Sequence, residues 1–332
     1  MLLASAVLTD AQIVPADDAI HRLLGVWDGR QIVAVAEVHR LVQDKEFLTS
    51  LIAIPEFPNK VNDVVIEYGN ARFQPTLDRY MAGKSVPPGD LRLVWADTTV
   101  VNGLWDAPVY KRFLASVREH NQRLPKRHKL RVLACDPPID WTKVRTIADA
   151  RPYLERDGFC ASVIEREVLA KHHKALVIMG DAHVIRRHMT GEPLVNAVTL
   201  VERKHPGTVF VAVTYFGQYK DSALIEQRLA AGPTPSLSLL QGTGLGALLA
   251  VPPRPPTRTR VGGGQSTTEE VVVTTPPRLE EVADALLYLG PKASLTRSTP
   301  REEDFGPDEL RELERRNQLL FGLPLDRQTL LQ

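Results

Sequence analysis

Short apolar runs alternate with amphipathic stretches along the first two thirds of the chain. Each run is a continuous series of Val, Ile, Leu and Ala residues, the pattern typical of strands buried on both faces of a parallel sheet. The predicted strands are Gln31–Ala36, Asp63–Glu67, Leu130–Cys135, Ala175–Met179 and Thr208–Tyr215.

The stretches between these runs carry apolar residues at i, i+3 and i+4, which indicates helices. Such spacing occurs at Phe47–Ile54, Val109–Val117 and Val163–Leu169, and again at Leu279–Leu287 and Pro307–Leu320. Strands that alternate with helices form right-handed βαβ units. The predicted fold is therefore α/β, with an open, mostly parallel sheet flanked by helices.

Two segments interrupt this alternation. Residues 72–129 are too long for one crossover helix and predict a helical insertion, with a helical subdomain at Arg72–Asp97. Residues 233–277 are rich in Pro, Gly, Ser and Thr and predict a long loop or linker. The chain is thus divided into an α/β core at 1–232, this loop, and a C-terminal helical segment at 278–332 that packs on the core.

Polar or aromatic residues follow every predicted strand. Because ligands bind beyond the carboxyl ends of the strands in an open parallel sheet, these residues predict a cleft at that edge. The candidate catalytic residues are Glu37, His39, Glu67 and His183. The candidate binding residues are Asp136, Asp140, Trp141 and Tyr215.

Composition and charge exclude several classes of protein. Of the 332 residues, 41 are Lys or Arg and 40 are Asp or Glu, and this near balance gives no indication of a nucleic-acid partner. No apolar run approaches the roughly 20 residues of a membrane helix. The apolar start MLLASAVL lacks the basic region of a signal peptide, so a cytoplasmic location is expected, or an exported one if the N-terminus is trimmed.

Several well-known catalytic motifs do not occur in the sequence. There is no GxSxG elbow, no GxxxxGK[ST] loop and no HExxH helix. The two cysteines exclude a disulfide scaffold and a Cys-rich metal module. Cys135 closes an apolar strand and is expected to be an inert thiol in the core.

The strand-end motifs resemble those of a known superfamily. Glu37-Val38-His39 and Gly180-Asp181-Ala182-His183 are similar to the paired GExH and GxxH motifs of the erythromycin esterase/ChaN-like/Tiki superfamily. The stretches VVIEYGNARFQPTLDRYMAG, VWADTT and RVLACDPPIDW resemble a bacterial ChaN-like branch. Ala36 departs from the family's usual Gly, which puts a tight turn at the first motif in doubt.

The resemblance implies an α/β fold with a cleft around two histidines, and it leaves the activity open. Erythromycin esterases hydrolyse a lactone with a histidine base, Tiki-like members are metal-dependent proteases, and ChaN-type members bind haem. The resemblance assigns Glu37 and His39 to the first motif and His183 to the second. Glu67 matches an acidic residue that follows the second strand in several members.

Hydrolysis of an ester, lactone or peptide bond is the leading hypothesis. His39 would take a proton from water, Glu37 or Glu67 would orient it, and His183 would polarise the carbonyl or protonate the leaving group. Alternatively, His39, His183 and Glu67 would hold Mn²⁺, Co²⁺ or Zn²⁺ to activate the water.

Two further alternatives involve no catalysed reaction. One is a haem or metal carrier with a histidine or Tyr215 as axial ligand. The other is a partner-binding protein in which the cleft has lost its activity, for which Ala36 is the supporting feature. The substrate is expected to be a small molecule or a peptide, and the oligomeric state is left open.

Overall fold

The five predicted strands pair with one another in one parallel sheet. The computed structural model describes residues 16–187, 194–230, 232–251, 257–262, 265–270 and 276–330. The strands are β1 (Ile32–Glu37), β2 (Asp63–Asn70), β3 (Arg131–Asp136), β4 (Ala175–Gly180), β5 (Val209–Thr214), β6 (Ser236–Leu239), β7 (Thr257–Gly262), β8 (Gln265–Glu270) and β9 (Ala285–Tyr288). The main sheet has the order β3-β2-β4-β1-β5-β9-β6, in which β6 alone is antiparallel to its neighbour. The predicted open, mostly parallel α/β sheet is confirmed.

Helices connect these strands and cover the sheet. They are α1 (Ala16–Val26), α2 (Val42–Ala53), α3 (Phe57–Lys60), α4 (Gln74–Met81), α5 (Pro88–Ala96), α6 (Pro108–Arg123), α7 (Ile147–Ala150), α8 (Arg156–Val163), α9 (Ala197–Lys204), α10 (Ser222–Leu229), α11 (Leu279–Val282), α12 (Pro307–Phe321) and α13 (Arg327–Leu330). A π-helical turn at Ile164–Val168 continues α8. Helices α4 to α6 supply the predicted helical insertion between β2 and β3.

The sheet is buried on both faces, as continuous apolar strands require. In β1, Val33 and Val35 contribute to one apolar core, whereas Ile32, Ala34 and Ala36 contribute to the other. Because side chains alternate between the two faces of a strand and each face of the sheet is covered by an apolar core, every residue of β1 is buried. The carboxyl ends of the parallel strands all lie at one edge of the sheet.

Two secondary-structure predictions are wrong in part. The predicted loop 233–277 contains β6, which pairs with β9 in the main sheet, and β7 and β8, which pair as an antiparallel hairpin. The helix predicted over Leu279–Leu287 ends at Val282, and β9 begins three residues later. The physical reason is that a short apolar run does not distinguish a buried helix from a buried strand, and tertiary pairing decides.

The expectation of a free Cys135 is also wrong. Cys135 at the end of β3 forms a disulfide with Cys160 in α8. The bond joins residues 25 positions apart and ties α8 to the edge of the sheet. Sequence alone gave no indication of this pairing, because the proximity of α8 to β3 is a long-range feature.

The C-terminal helix α12 lies against the insertion and the loop that follows β3. The guanidinium of Arg316 contacts Asp97 at 2.6 Å, and Arg315 donates to the carbonyl of Trp141 at 3.2 Å. Among the described residues, no helix combines the length and hydropathy that a membrane span requires.

Candidate functional site

The ends of four parallel strands bring the predicted acidic and histidine side chains together. Glu37 ends β1, Asp136 ends β3 and Gly180 ends β4, and the register pairs Glu37 with Gly180 across two neighbouring strands. Glu67 lies where the register of β2 against β3 shifts, between Ile66 and Asn70. Such irregularities redirect side chains at the edge of a sheet.

Glu37 and His39 form a hydrogen-bonded pair. The Nδ1 atom of His39 is 3.0 Å from Oε1 of Glu37, whose carboxylate is buried. The hydroxyl of Tyr110 also donates to Oε1, at 3.4 Å, and the ammonium of Lys45 pairs with Oε2. The carboxylate is therefore fixed from two sides and holds one nitrogen of the imidazole, so that Nε2 is the nitrogen left to react.

The surroundings of His39 favour a neutral imidazole. Burial lowers the pKa of His39 below its usual value, although the negative charge of Glu67 opposes this shift. The indole of Trp105 packs edge-on against the imidazole with 4.9 Å between ring centroids. About a third of the His39 side chain, 32%, remains exposed. A partly open, neutral imidazole can accept a proton near pH 7.

Glu67 accepts hydrogen bonds from three groups. The backbone N–H of Gly180 donates to Oε2 at 2.6 Å, and Arg156 and His183 approach Oε1 at 2.7 and 3.2 Å. Burial by itself would raise the pKa of Glu67, but the hydrogen bond from His183 and the charge of Arg156 lower it well below its usual range. Glu67 is therefore ionised at neutral pH.

Arg156 bridges two buried carboxylates. Its Nη2 atom binds Glu67, and its Nε donates to Oδ1 of Asp136 at 3.1 Å. The backbone N–H of Thr99 donates to Oδ2 of Asp136 at 2.8 Å. Burial nevertheless raises the pKa of Asp136 to about 6. One guanidinium thus neutralises the acids that two different strands deliver.

His183 is held between two carboxylates. Its Nδ1 is 2.7 Å from Oδ1 of Asp157, and its Nε2 faces Glu67. Burial would lower the pKa of His183, but these two hydrogen bonds raise it to about 9. His183 is therefore an imidazolium at neutral pH, whereas His39 is neutral.

Three of the predicted binding residues have other partners. Asp140 pairs with Arg72 at 2.7 Å, away from the carboxylates described above. Trp141 is buried in a small apolar cluster and donates its indole N–H to the carbonyl of Thr98. The buried hydroxyl of Tyr215 lies 3.2 Å from the carbonyl of Ser222 and 3.0 Å from Oε1 of Glu226.

Sequence reasoning missed Lys45, Arg156 and Asp157. Lys45 carried a usable signal, because it lies on the same face of α2 as the buried Leu48 and Ile52, where a charge needs a partner. Arg156 and Asp157 begin α8. Nothing in their local pattern distinguishes them from solvated residues of a first helical turn.

The presence of Ala36, where the motif that this segment resembles has Gly, has a simple explanation. Ala36 lies inside β1, opposite Met179 on one neighbouring strand and Val213 on the other, so its backbone is extended. The left-handed conformation occurs four residues later, at Arg40 with φ 66°. The first motif therefore needs no glycine at position 36.

Gly180, in contrast, must be a glycine. A Cβ atom there would lie 2.7 Å from the Cε1 and Nε2 atoms of His39 and 3.4 Å from Glu67. We expect Gly180→Ala to displace the imidazole, reduce activity and lower the free energy of unfolding by about 1–3 kcal/mol, the usual cost of overpacking. Urea denaturation measures the loss.

Gly25 in α1 is the matched control, because a Cβ there meets no atom within 4 Å. Gly25→Ala should leave the protein as stable or stabilise it by about 0.4–1 kcal/mol. An equal response to the two substitutions would contradict the proposed contact between Gly180 and His39.

Three possible metal ligands lie close together, but their charge balance does not suit a divalent ion. Ligand atoms of Glu37, His39 and Glu67 lie within 4.8 Å of one another. Both carboxylates are already neutralised, Glu37 by Lys45 and Glu67 by Arg156. A divalent ion there would lie beside the guanidinium of Arg156, which Coulomb repulsion opposes. Lys45 is a second basic neighbour, although burial lowers its pKa to about 7. Both ring nitrogens of His183 already face carboxylates, so this side chain would have to give up one of these contacts and its proton to bind a metal.

Haem ligation by Tyr215 is equally poorly supported. The Tyr215 side chain is fully buried and packs against Tyr288 with 5.7 Å between ring centroids. An axial ligand must reach an open slot wide enough for the macrocycle. Of the two kinds of axial ligand that the sequence offered, a histidine or Tyr215, the tyrosine is part of the apolar core instead.

Comparison with known proteins identifies the fold. No protein-family model matches the chain, and no curated protein matches its sequence. A succinoglycan biosynthesis protein matches with a TM-score of 0.54 and 11% identity over 83% of this chain and 91% of its own. A mutant of the erythromycin esterase EreC in its open conformation matches with a TM-score of 0.53 and 13% identity, over 81% of this chain and 92% of its own. A Bacillus cereus protein matches with a TM-score of 0.52 and 12% identity, over 86% of this chain and 93% of its own. The chain therefore has the fold of a group of proteins that includes an erythromycin esterase, in agreement with the resemblance of its strand-end motifs.

Proposed function

We propose that the protein is a hydrolase of carbonyl esters that uses His39 as a general base. The observation that carries this proposal is the difference between the two histidines. His39 is neutral, and Glu37 holds its Nδ1 at 3.0 Å, whereas His183 is cationic and engaged at both nitrogens. A base needs a free lone pair on an oriented ring, and His39 meets both conditions.

The proposed reaction begins with proton transfer from water to Nε2 of His39. The oxygen of this water forms a bond to the carbonyl carbon, and the carbonyl electron pair moves onto the oxygen. When the tetrahedral intermediate collapses, the bond from carbon to the leaving oxygen breaks and His39 returns the proton to that oxygen. The products are a carboxylic acid and an alcohol. Acid–base assistance of this kind contributes about 10²–10⁴-fold in rate.

The developing oxyanion requires nearby positive charge. Arg156 is the candidate, because it is partly exposed and lies 2.7 Å from Glu67, which is itself a close neighbour of His39. A fixed cation in a largely buried site stabilises negative charge more strongly than it does in water. The ion pairs with Glu67 and Asp136 fix the position of this guanidinium.

His183 serves as a positioning residue in this proposal. Its hydrogen bonds to Asp157 and Glu67 hold the first turn of α8, and therefore Arg156, against the end of β2. The alternative role of a proton donor to the leaving group is less well supported, since Glu67 already accepts from its Nε2.

The pH dependence of kcat/KM tests these assignments. The base must be deprotonated, so activity should rise on an acidic limb with an apparent pKa below 6.5, the direction in which burial shifts His39. Activity should fall again near pH 9, where His183 loses its proton. The measurement uses p-nitrophenyl butyrate with subtraction of the uncatalysed rate.

The variant His183→Gln tests whether His183 causes the fall in activity at alkaline pH. His183→Gln should remove the alkaline limb and keep the acidic one. An acidic limb centred above pH 7 would contradict the assignment of the base to His39.

A further inference from the structure

An open cleft is lined by Arg156, a member of the charged cluster, and by a majority of apolar side chains. Its volume is about 570 Å³, within the range of about 300–1,000 Å³ that is typical of small-molecule sites. One wall is the loop at 99–102, and the other is the end of α12 with the segment that follows it. Among the residues that line it, Arg156 and Asp326 are the charged ones, whereas Val100, Val101, Leu320 and Leu323 are apolar.

The cleft and the candidate active site share residues. Arg156 lines the cleft and also binds Glu67 and Asp136. Thr99 lines the cleft and donates its backbone N–H to Asp136. The same loop then leads to Trp105, which packs on His39 with 4.9 Å between ring centroids. A molecule that fills the cleft would therefore end beside the proposed oxyanion site.

A glycine at the end of α12 shapes the outer wall. Gly322 follows Phe321 with φ 68°, a left-handed conformation that ends the helix and reverses the chain. Leu323, Pro324 and Leu325 then turn back to line the cleft. The wall is thus a defined structure rather than an irregular tail.

The cleft concentrates exposed apolar surface. Across the part of the chain that the structure describes, nine large hydrophobic side chains are exposed, and three of them, Leu154, Phe321 and Leu323, line this cleft. Their exposed fractions are 40%, 50% and 46%. Apolar surface grouped beside a reactive site is typical of a binding region for an apolar ligand.

We propose that this cleft binds an apolar hydrocarbon group of the substrate, attached directly to the scissile ester. This inference rests on the proposed function and specifies the substrate class: an ester with a long apolar group on one side. Transfer of methylene groups from water into the cleft supplies binding free energy in proportion to the area buried. The carbonyl would then lie beside Arg156, the residue that the cleft shares with the charged cluster.

Two series of p-nitrophenyl and alkyl esters test this inference. In the first, the acyl group grows from acetate to octanoate on the same alcohol; in the second, the alcohol grows on the same acetyl group. We expect kcat/KM to rise by about tenfold or more along one series, which identifies the side of the ester that enters the cleft. A flat response in both series would overturn the proposal.

Substitutions in the outer wall give the specific test. Phe321→Asp and, separately, Leu323→Asp should lower the octanoate-to-acetate ratio of kcat/KM, or the matching ratio in the alcohol series, by about fivefold or more. The control is Leu224→Asp in α10, an exposed leucine outside the cleft, which should leave the ratio unchanged. Two wall variants are used so that a folding defect in one, detected by circular dichroism, leaves the other informative.

Binding of an amide that is not hydrolysed separates this inference from the proposed function. Calorimetry should show that octanamide binds about tenfold or more tightly than acetamide, and that Phe321→Asp removes the difference. If no ester is hydrolysed but this binding pattern holds, the cleft assignment stands and the hydrolase proposal falls. If esters are hydrolysed without any length preference, the hydrolase proposal stands and the cleft assignment falls. Gel filtration that reveals a dimer broken by Phe321→Asp, with unchanged preference, would also overturn the cleft assignment.

Discussion

We expect His39→Ala to lower kcat/KM for ester hydrolysis by about a thousandfold, within the 10²–10⁴-fold range of acid–base assistance. The expected loss follows from the removal of the neutral imidazole that Glu37 orients and Lys45 indirectly fixes. The fold should remain intact, because the His39 side chain is 32% exposed and fills no closed part of the core. Steady-state kinetics and thermal unfolding of the same preparation measure both quantities.

His173 provides a closely matched control at the opposite edge of the sheet. Its Nδ1 is 2.8 Å from the buried carboxylate of Asp63, the first residue of β2, and its side chain is 39% exposed. The pair resembles His39–Glu37 in geometry but lies at the amino ends of the strands. His173→Ala should therefore leave kcat/KM within about twofold of the original value. Equal losses in both variants would contradict a base at position 39.

The second large effect is on stability. Arg156→Leu removes the guanidinium that contacts Glu67 and Asp136 at 2.7 and 3.1 Å. Asp136 then loses the cation with which it pairs, whereas Glu67 keeps His183. Removal of one partner from a buried ion pair leaves an uncompensated charge, so we expect the free energy of unfolding at pH 7 to fall by about 3–5 kcal/mol. Urea denaturation with a common slope for both proteins measures the change.

A surface arginine and a double variant complete this test. Arg131 also bridges two carboxylates, Asp78 and Glu167, but it is 38% exposed, so Arg131→Leu should cost at most about 1 kcal/mol. Adding Asp136→Asn to Arg156→Leu should recover about 1 kcal/mol or more, because it removes the charge that is left uncompensated. A double variant as unstable as the sum of the single variants would show that the ion pair is not the cause.

Much of the fold could be predicted from local patterns. Continuous apolar runs identified β1 to β5, since a strand covered by helices on both faces has no solvated side. The spacing of apolar residues identified α2, α6 and α12. The strands β6 and β9 were missed, because each is only four residues long and depends on long-range pairing, β6 with β9 and β9 with both β5 and β6.

Part of the candidate site could also be predicted. Glu37 and His39 follow the first apolar run directly, and His183 follows the fourth. Because parallel strands deliver their carboxyl ends to one edge, a linear pattern was sufficient to group these residues. Trp141 and Tyr215 also follow strands, yet both are buried, since the direction of a side chain beyond a strand depends on the packing of the next element.

The sequence alone determined the five parallel strands β1 to β5 and the acidic and histidine residues at their carboxyl ends, because short-range patterns of apolar residues encode these features. The tertiary structure alone decided how these groups are charged. Arg156 contacts Glu67 across 89 residues of sequence, and the disulfide between Cys135 and Cys160 joins the helix α8, which carries Arg156, to β3. The neutral His39 and the protonated His183 differ because burial dominates at one and two carboxylates dominate at the other. Charge and desolvation are properties of a three-dimensional neighbourhood, and no local pattern of residues carries them.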